Sequence, residues 1–178
     1  ELVEMLFSAL EIGEPIVLSL ARPVFPITEN SLQCLGQTNN GAYVYYQSKT
    51  SKKKKVVLVV SGMQILLNCE KIKEQLEKDS YGVKIVAVTS PELFKELLQN
   101  NPEKSAGILS AQEREIAITI NNGYPEFLSD FIDGFDLNKR MLGTGGYLKS
   151  GTAEEVYDYA GLSPEKLYQK IKNILANV

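Results

Sequence analysis

Residues 56–88, VVLVVSGMQILLNCEKIKEQLEKDSYGVKIVAV, decide the fold. Val56 to Val60 is a continuous apolar run rich in β-branched residues, and it predicts a buried strand closed by Ser61-Gly62. From Met63 to Lys78 the period changes. Ile65, Cys69, Ile72 and Leu76 are spaced four, three and four apart, which is one stripe of a helix. Cys69 on that stripe reads as core rather than as a reactive thiol. Val83 to Val88 then repeats the strand signal.

The same alternation extends in both directions. Ser90-Pro91-Glu92 starts a helix: Ser90 caps, Pro91 suits the first turn, and Glu92 favours the dipole. Phe94, Leu97 and Leu98 supply its buried face. Glu115 to Ile120 predicts another strand, Asn121-Asn122-Gly123 a turn, Pro125 to Phe131 a helix, and Lys139 to Leu142 a weak strand. Thr152-Ala153-Glu154-Glu155 fits a capping box, and Gly161 stops that helix. The last helix starts at Ser163-Pro164-Glu165, with Leu167, Ile171, Ile174 and Leu175 on one face. On the amino-terminal side, Ala42 to Tyr46 is strand-like. Ser48 to Lys55, with five lysines, is a solvated turn. Strands alternating with amphipathic helices from residue 41 onward mean an α/β sandwich whose helices cover a largely parallel sheet.

The first forty residues read differently. Leu2, Met5, Leu6, Ala9 and Leu10 place a helix at residues 1–12, ended by Gly13 and Pro15. Ile16 to Leu20 resembles a buried parallel strand, followed at once by Arg22 and by Pro23 and Pro26, which stiffen an extended exit. Residues 28–40 are polar and turn-rich and read as a linker. Glu1, opening mid-pattern without Met, suggests a piece of something longer.

Composition excludes much. The 178 residues carry 19 Lys plus Arg, 22 Asp plus Glu and no histidine, for a formal charge of −3. Ser-His and Cys-His nucleophiles and His-based zinc sites are therefore ruled out within this chain. Mild acidity argues against nucleic-acid binding, and no apolar run approaches the roughly 18 residues of a membrane span. No signal peptide is expected at the start. Cys34 and Cys69 stand without paired motifs and read as reduced thiols of a cytosolic protein.

Few residues offer chemistry. Gly143-Thr144-Gly145-Gly146 lacks the spacing of a phosphate loop and reads as a plain loop. Ser61-Gly62-Met63-Gln64 lies where a strand passes into a helix, a place where open α/β sheets bind anions, but it has one glycine and no lysine. Glu113, Glu115, Glu154 and Glu155 show no pairing that suggests a general acid and base, so surface solvation is their default. Arg22, at the end of a strand, has a donor fork suited to phosphate or carboxylate. From the local sequence alone, a structural ion pair is the favoured reading of Arg22, ahead of a ligand contact.

The pieces together resemble transketolases. Ile16 to Pro26, IVLSLARPVFP, is similar without gaps to the family's T-A-L-A-L-S-R-Q-N-L-P. Gly41-Ala42-Tyr43-Val44 is similar to its G-(G/A)-Y-V, and Val57 to Gly62 stands where the family has a strand ending in T-G-S-E. Ser150 to Tyr157 and Gly161-Leu162-Ser163 are similar to S-A-P-A-E-E-L-F and G-F-T. The resemblance implies that residues 1–27 are the tail of a pyrimidine-binding domain, 28–40 a linker, and 41–178 the C-terminal domain. That domain would be a three-layer α/β/α unit with a five-stranded mixed, mostly parallel sheet whose first strand is antiparallel.

The resemblance further implies a cytoplasmic, homodimeric parent enzyme of the pentose phosphate pathway. Such a transferase moves two-carbon ketol units between sugar phosphates with thiamine diphosphate and Mg2+ or Ca2+. This chain itself would hold no catalytic residue, cofactor or metal. It would be structural, inactive alone, partnered by upstream domains of the same protein, and would lend Arg22 to the sugar-phosphate phosphate group. It departs from the family pattern at Pro23-Val24, Met63-Gln64 and Asn121. 1-Deoxyxylulose-5-phosphate synthase and 2-oxo-acid dehydrogenase E1 components share the domain and are competing parents. From another class, the alternative is an independent regulatory module holding a small anion at Ser61-Gly62.

Overall fold

The structure, a computed structural model, describes residues 2–21, 23–49, 52–134 and 136–176. Five strands form one mixed sheet in the order β1-β3-β2-β4-β5. They are β1 (Ala42–Gln47), β2 (Lys54–Ser61), β3 (Tyr81–Val88), β4 (Ala117–Asn121) and β5 (Met141–Leu142). β1 runs antiparallel to β3, and all other neighbours are parallel, with Val57 opposite both Lys84 and Ala117.

Alternation along β2 makes the layers. Val56, Leu58 and Val60 face one core, with α3 (Met63–Lys78) and α9 (Pro164–Ala176), through Ile65, Cys69, Ile72, Leu76, Leu167 and Ile171. Val57 and Val59 face a second core with α4 (Pro91–Asn100), α5 (Pro102–Ile108) and a 3-10 helix, Pro125–Phe131. There Phe94 stacks on Phe131, ring centroids 4.7 Å apart. The three-layer α/β/α arrangement is as the resemblance implies.

Local rules explain most boundaries. α3 spans the expected residues. The Ser90 hydroxyl accepts from the Leu93 amide at 3.3 Å, and both halves of the Thr152–Glu155 capping box form ahead of α8 (Ala153–Tyr159).

Three expectations need correction. The strand expected from Glu115 begins at Ala117, because a second capping box, Ser110 with Glu113, winds Ala111–Ile116 into α6. Asn101 likewise caps α5, accepting from the Lys104 amide at 3.1 Å. Near Lys139, a single turn, α7 (Leu137–Arg140), precedes the two-residue β5. The larger correction concerns Ile16 to Leu20, which form no strand. They carry no regular structure and pair with no described strand, with Val17 94% exposed. A strand needs a ladder partner, and no described segment supplies one here.

Residues 28–40 are more structured than a linker pattern suggests, holding a short helix, α2 (Glu29–Gln33), and a 3-10 turn at Thr38–Asn40. At the end of that turn Gly41 has φ 77°, and a Cβ there would sit 2.2 Å from the Phe94 amide nitrogen. Only glycine fits. The helix expected at residues 1–12 is α1 (Leu2–Ile12), none of whose described side chains is buried.

Candidate functional site

Three places merit attention: the crossing after β2, the Gly143 loop, and the arm formed by residues 2–40. At the crossing, Gly62 has φ 97° and faces the Asn122 side chain, 3.0 Å from where a Cβ would stand. The hollow beside it, lined by Val60, Gly62, Met63, Leu66, Ala87 and Val88, measures about 30 Å³. That is the share of liquid volume of roughly one water molecule, far too little for a sugar phosphate or nucleotide. Its polar neighbours are committed. Gln64 Nε2 donates to Asn68 Oδ1 at 2.9 Å, and Asn68 Nδ2 donates to the Leu162 carbonyl at 2.9 Å. The geometry does not favour an anion site at Ser61-Gly62.

The Gly143 loop is a packing device. The amide and hydroxyl of Thr144 both donate to the Gly123 carbonyl, at 2.7 and 3.2 Å, and a Cβ on Gly143 would clash with that same oxygen at 2.6 Å.

Of the four singled-out carboxylates, Glu115 and Glu154 are exposed, and Glu155 caps α8. Glu113 departs from surface solvation. Both its oxygens accept from Lys84 Nζ, at 2.8 and 2.9 Å, and it also accepts from the Ser110 amide at 3.0 Å. Lys84 sits at 7% exposure in mid-strand, so its charge needs a partner. Burial pushes the Glu113 carboxyl up, but Lys84 and the Ser110 donors outweigh it and hold it below its ordinary value. The pair joins β3 to α6.

Both cysteines are buried and free. Burial pushes the Cys69 thiol up to about 12, which makes it inert. Among the described residues, no group of three Cys, Asp or Glu side chains stands together to hold a metal, and no helix is long and apolar enough to cross a membrane.

Arg22 lies outside the described residues. Its flanking residues Ala21 and Pro23 are exposed, and Val24 is 98% exposed. The arm around it is the outstanding surface. Of the eighteen large apolar side chains exposed among the described residues, thirteen belong to residues 2–35. On α1, Val3 and Phe7 lie open as well as Leu2, Leu6 and Leu10, so apolar side chains take more than half of its circumference, with Glu4, Ser8 and Glu11 on the remaining side. An apolar face that wide is normally covered by protein.

Sequence reasoning passed over three side chains. Arg140 is buried and donates to the carbonyls of Glu115, Ala117 and Asp133, at 2.8, 3.0 and 2.5 Å, which ties α6 and β4 to the edge of the sheet. Glu70 and Glu77, two turns apart on α3, accept from the hydroxyls of Tyr45 and Tyr46, each at 2.8 Å. A bulge in β1 between Val44 and Tyr46 lets these consecutive tyrosines meet the same helix. The spacing of seven between two helical glutamates, set against an adjacent Tyr pair, was the available signal.

A family model for the transketolase-like TK C-terminal domain matches residues 41–163. The chain belongs to that family. A transketolase from Rhodobacter capsulatus is 25% identical over 163 residues, covering 90% of this chain and 23% of its own length. Transketolase 10 from Craterostigma plantagineum is 26% identical over 166 residues, covering 91% and 22%. The chain thus spans under a quarter of the curated relatives it matches. A match over 90% of the chain also takes in part of the first forty residues.

Among solved structures, transketolase from Campylobacter jejuni superposes with a TM-score of 0.59 at 25% identity, over 79% of this chain and 19% of that one. The Leishmania mexicana enzyme gives 0.55 at 17%, over 83% and 19%, and shows the same fold.

Proposed function

We propose that this chain is the C-terminal section of a transketolase-like enzyme that transfers two-carbon ketol units between sugar phosphates. Residues 1–27 belong to its pyrimidine-binding domain, and 41–178 are the C-terminal domain that supports a homodimeric, cytoplasmic parent. The observation that carries this reading is the bare apolar arm. Its side chains have no opposing layer among the described residues, which is the state expected of a segment whose packing partner is another domain. Burying a leucine or phenylalanine contributes about 1.5–3 kcal/mol, so an arm with this many open side chains has a large association energy in reserve.

Thiamine diphosphate has no room at the strand-to-helix crossing after β2. The crossing is closed to a hollow of about 30 Å³, and among the described residues no group of three Cys, Asp or Glu side chains stands together to hold a divalent ion. The reading therefore puts cofactor and metal on the upstream domains, and no step of ketol transfer is assigned here. The chemistry left to this chain is recognition. Arg22 binds the phosphate of the sugar through paired N–H donors.

Two measurements test the reading. Calorimetry of this chain with thiamine diphosphate and magnesium should show no binding, and micromolar affinity would refute it. In the parent, Arg22→Ala should raise KM for phosphorylated sugars by roughly tenfold to a hundredfold, the equivalent of a lost charged hydrogen bond of about 1.5–3 kcal/mol. An unchanged KM removes the role of Arg22.

A further inference from the structure

Between the arm and the sheet, residues 28–40 lie against β1 and α3 through a connected set of hydrogen bonds. Tyr45, only 3% exposed, donates its hydroxyl to Glu70 Oε2 at 2.8 Å, and the Thr28 hydroxyl lies 2.8 Å from the same phenolic oxygen. The other oxygen of Glu70 accepts from Asn30 Nδ2 and from Lys73 Nζ, each at 3.2 Å. Burial and the Glu70 carboxylate push the Tyr45 phenol up to about 12, so it stays a donor throughout the physiological range.

Further along, the Cys34 thiol donates to the Val44 carbonyl at 3.4 Å, on the edge strand β1. Thr38 is buried, and its carbonyl accepts from the Thr89 hydroxyl at 2.7 Å, at the carboxyl end of β3. The arm helix is tied to this same stretch. Glu4 accepts from the Gly36 amide at 2.5 Å and from the Thr38 hydroxyl at 2.6 Å. Both bonds, with Thr38 first, draw the Glu4 carboxyl below its ordinary value.

We propose that residues 28–40 are a rigid strap, and that Tyr45 and Glu70 are positioning residues that fix where the arm stands relative to the C-terminal domain. Thr28 follows Arg22 by six positions, two of them the stiff Pro23 and Pro26. An anchor at Thr28 is therefore relayed through a short segment with little slack. The strap does two further things. It engages one carbonyl of the edge strand β1, that of Val44, through the Cys34 thiol. It also holds α1 in place before any partner arrives, which lowers the ordering cost of docking. The part of this that concerns Arg22 rests on the proposed phosphate role; the strap itself does not.

The test has two arms. In this chain, hydrogen exchange at the amides of residues 28–40 should be slowed well below free-chain rates. Tyr45→Phe and Glu70→Gln should each speed it by about threefold to tenfold, the loss of one net hydrogen bond, while amides of β2, β3 and β4 stay unchanged. In the intact parent, Tyr45→Phe should raise KM for a phosphorylated ketose by about the same factor, leaving kcat and the KM of an unphosphorylated ketose as they were. A purely structural tyrosine would not divide the substrates in that way. Strap amides that exchange at free-chain rates, or that ignore both substitutions, overturn the proposal. A strap that loosens in Tyr45→Phe without any change in KM overturns the positioning role. If Arg22→Ala itself leaves KM unaltered, the phosphate reading fails and the exchange result alone decides the strap.

Discussion

Residues 2–40 and residues 41–176 are both rich in leucine, isoleucine, valine and aromatic side chains, yet only the second stretch has a core. In the first, Cys34 and Thr38 are the sole buried residues among those described; in the second, whole strands are buried on both faces. The difference is topological. β2 has a helical layer on each side to receive its alternate side chains, whereas α1 and Ile16 to Leu20 have no layer opposite them among the described residues. Apolar pattern makes an element available for burial, but a facing surface has to complete it.

Substitutions in the two regions should therefore differ sharply in effect. Phe94→Ala, in the stack on Phe131, should cost about 3–5 kcal/mol in denaturant unfolding. Gly41→Ala, at the joint between the regions, should cost about 3 kcal/mol or more, through positive φ and a backbone clash. A tolerated Gly41→Ala would show that the joint is looser than described. Next comes the buried pair: Lys84→Met should cost about 3 kcal/mol by stranding Glu113, and Lys84→Met with Glu113→Leu should recover most of it.

The same pair sets a pH response. Glu113 is held below its ordinary 4.5 in the folded chain. Its contribution is thus complete above 4.5 and lost as pH falls through the lower folded value, and the double variant should lack that part of the acid transition. The smallest effect belongs to the arm. Phe7→Ser or Leu10→Ser should change the stability of this chain by less than about 0.5 kcal/mol, since neither side chain is buried. A cost of 2 kcal/mol there would mean that the arm packs on its own domain.

What the sequence made legible follows the same divide. The β2–α3–β3 unit was readable because its periods switch cleanly at Gly62 and again near Ser80, and because each element is buried locally. Cap chemistry located α4 and α8. α6 was hidden because Glu115 and Ile116 lead without a break into a β-branched run, and the Ser110–Glu113 box upstream was the only contrary signal. The strand pattern at Ile16 to Leu20 misled because pairing is non-local and no ladder partner lies among the described residues. At the site, Arg22 stands out locally by its donor fork and takes its phosphate role from the resemblance, but it is not among the described residues. Tyr45 and Glu70 were missed because nothing local to either residue shows that the chain brings them together across 25 positions.

The central claim is that the open arm is one half of an interdomain interface. Hydrogen exchange of this chain, alone and mixed with the separately purified upstream domains of its parent, tests it most directly. Stoichiometric association with new protection confined to residues 2–27 is the predicted result. No association, or protection that appears elsewhere while α1 stays open, contradicts it.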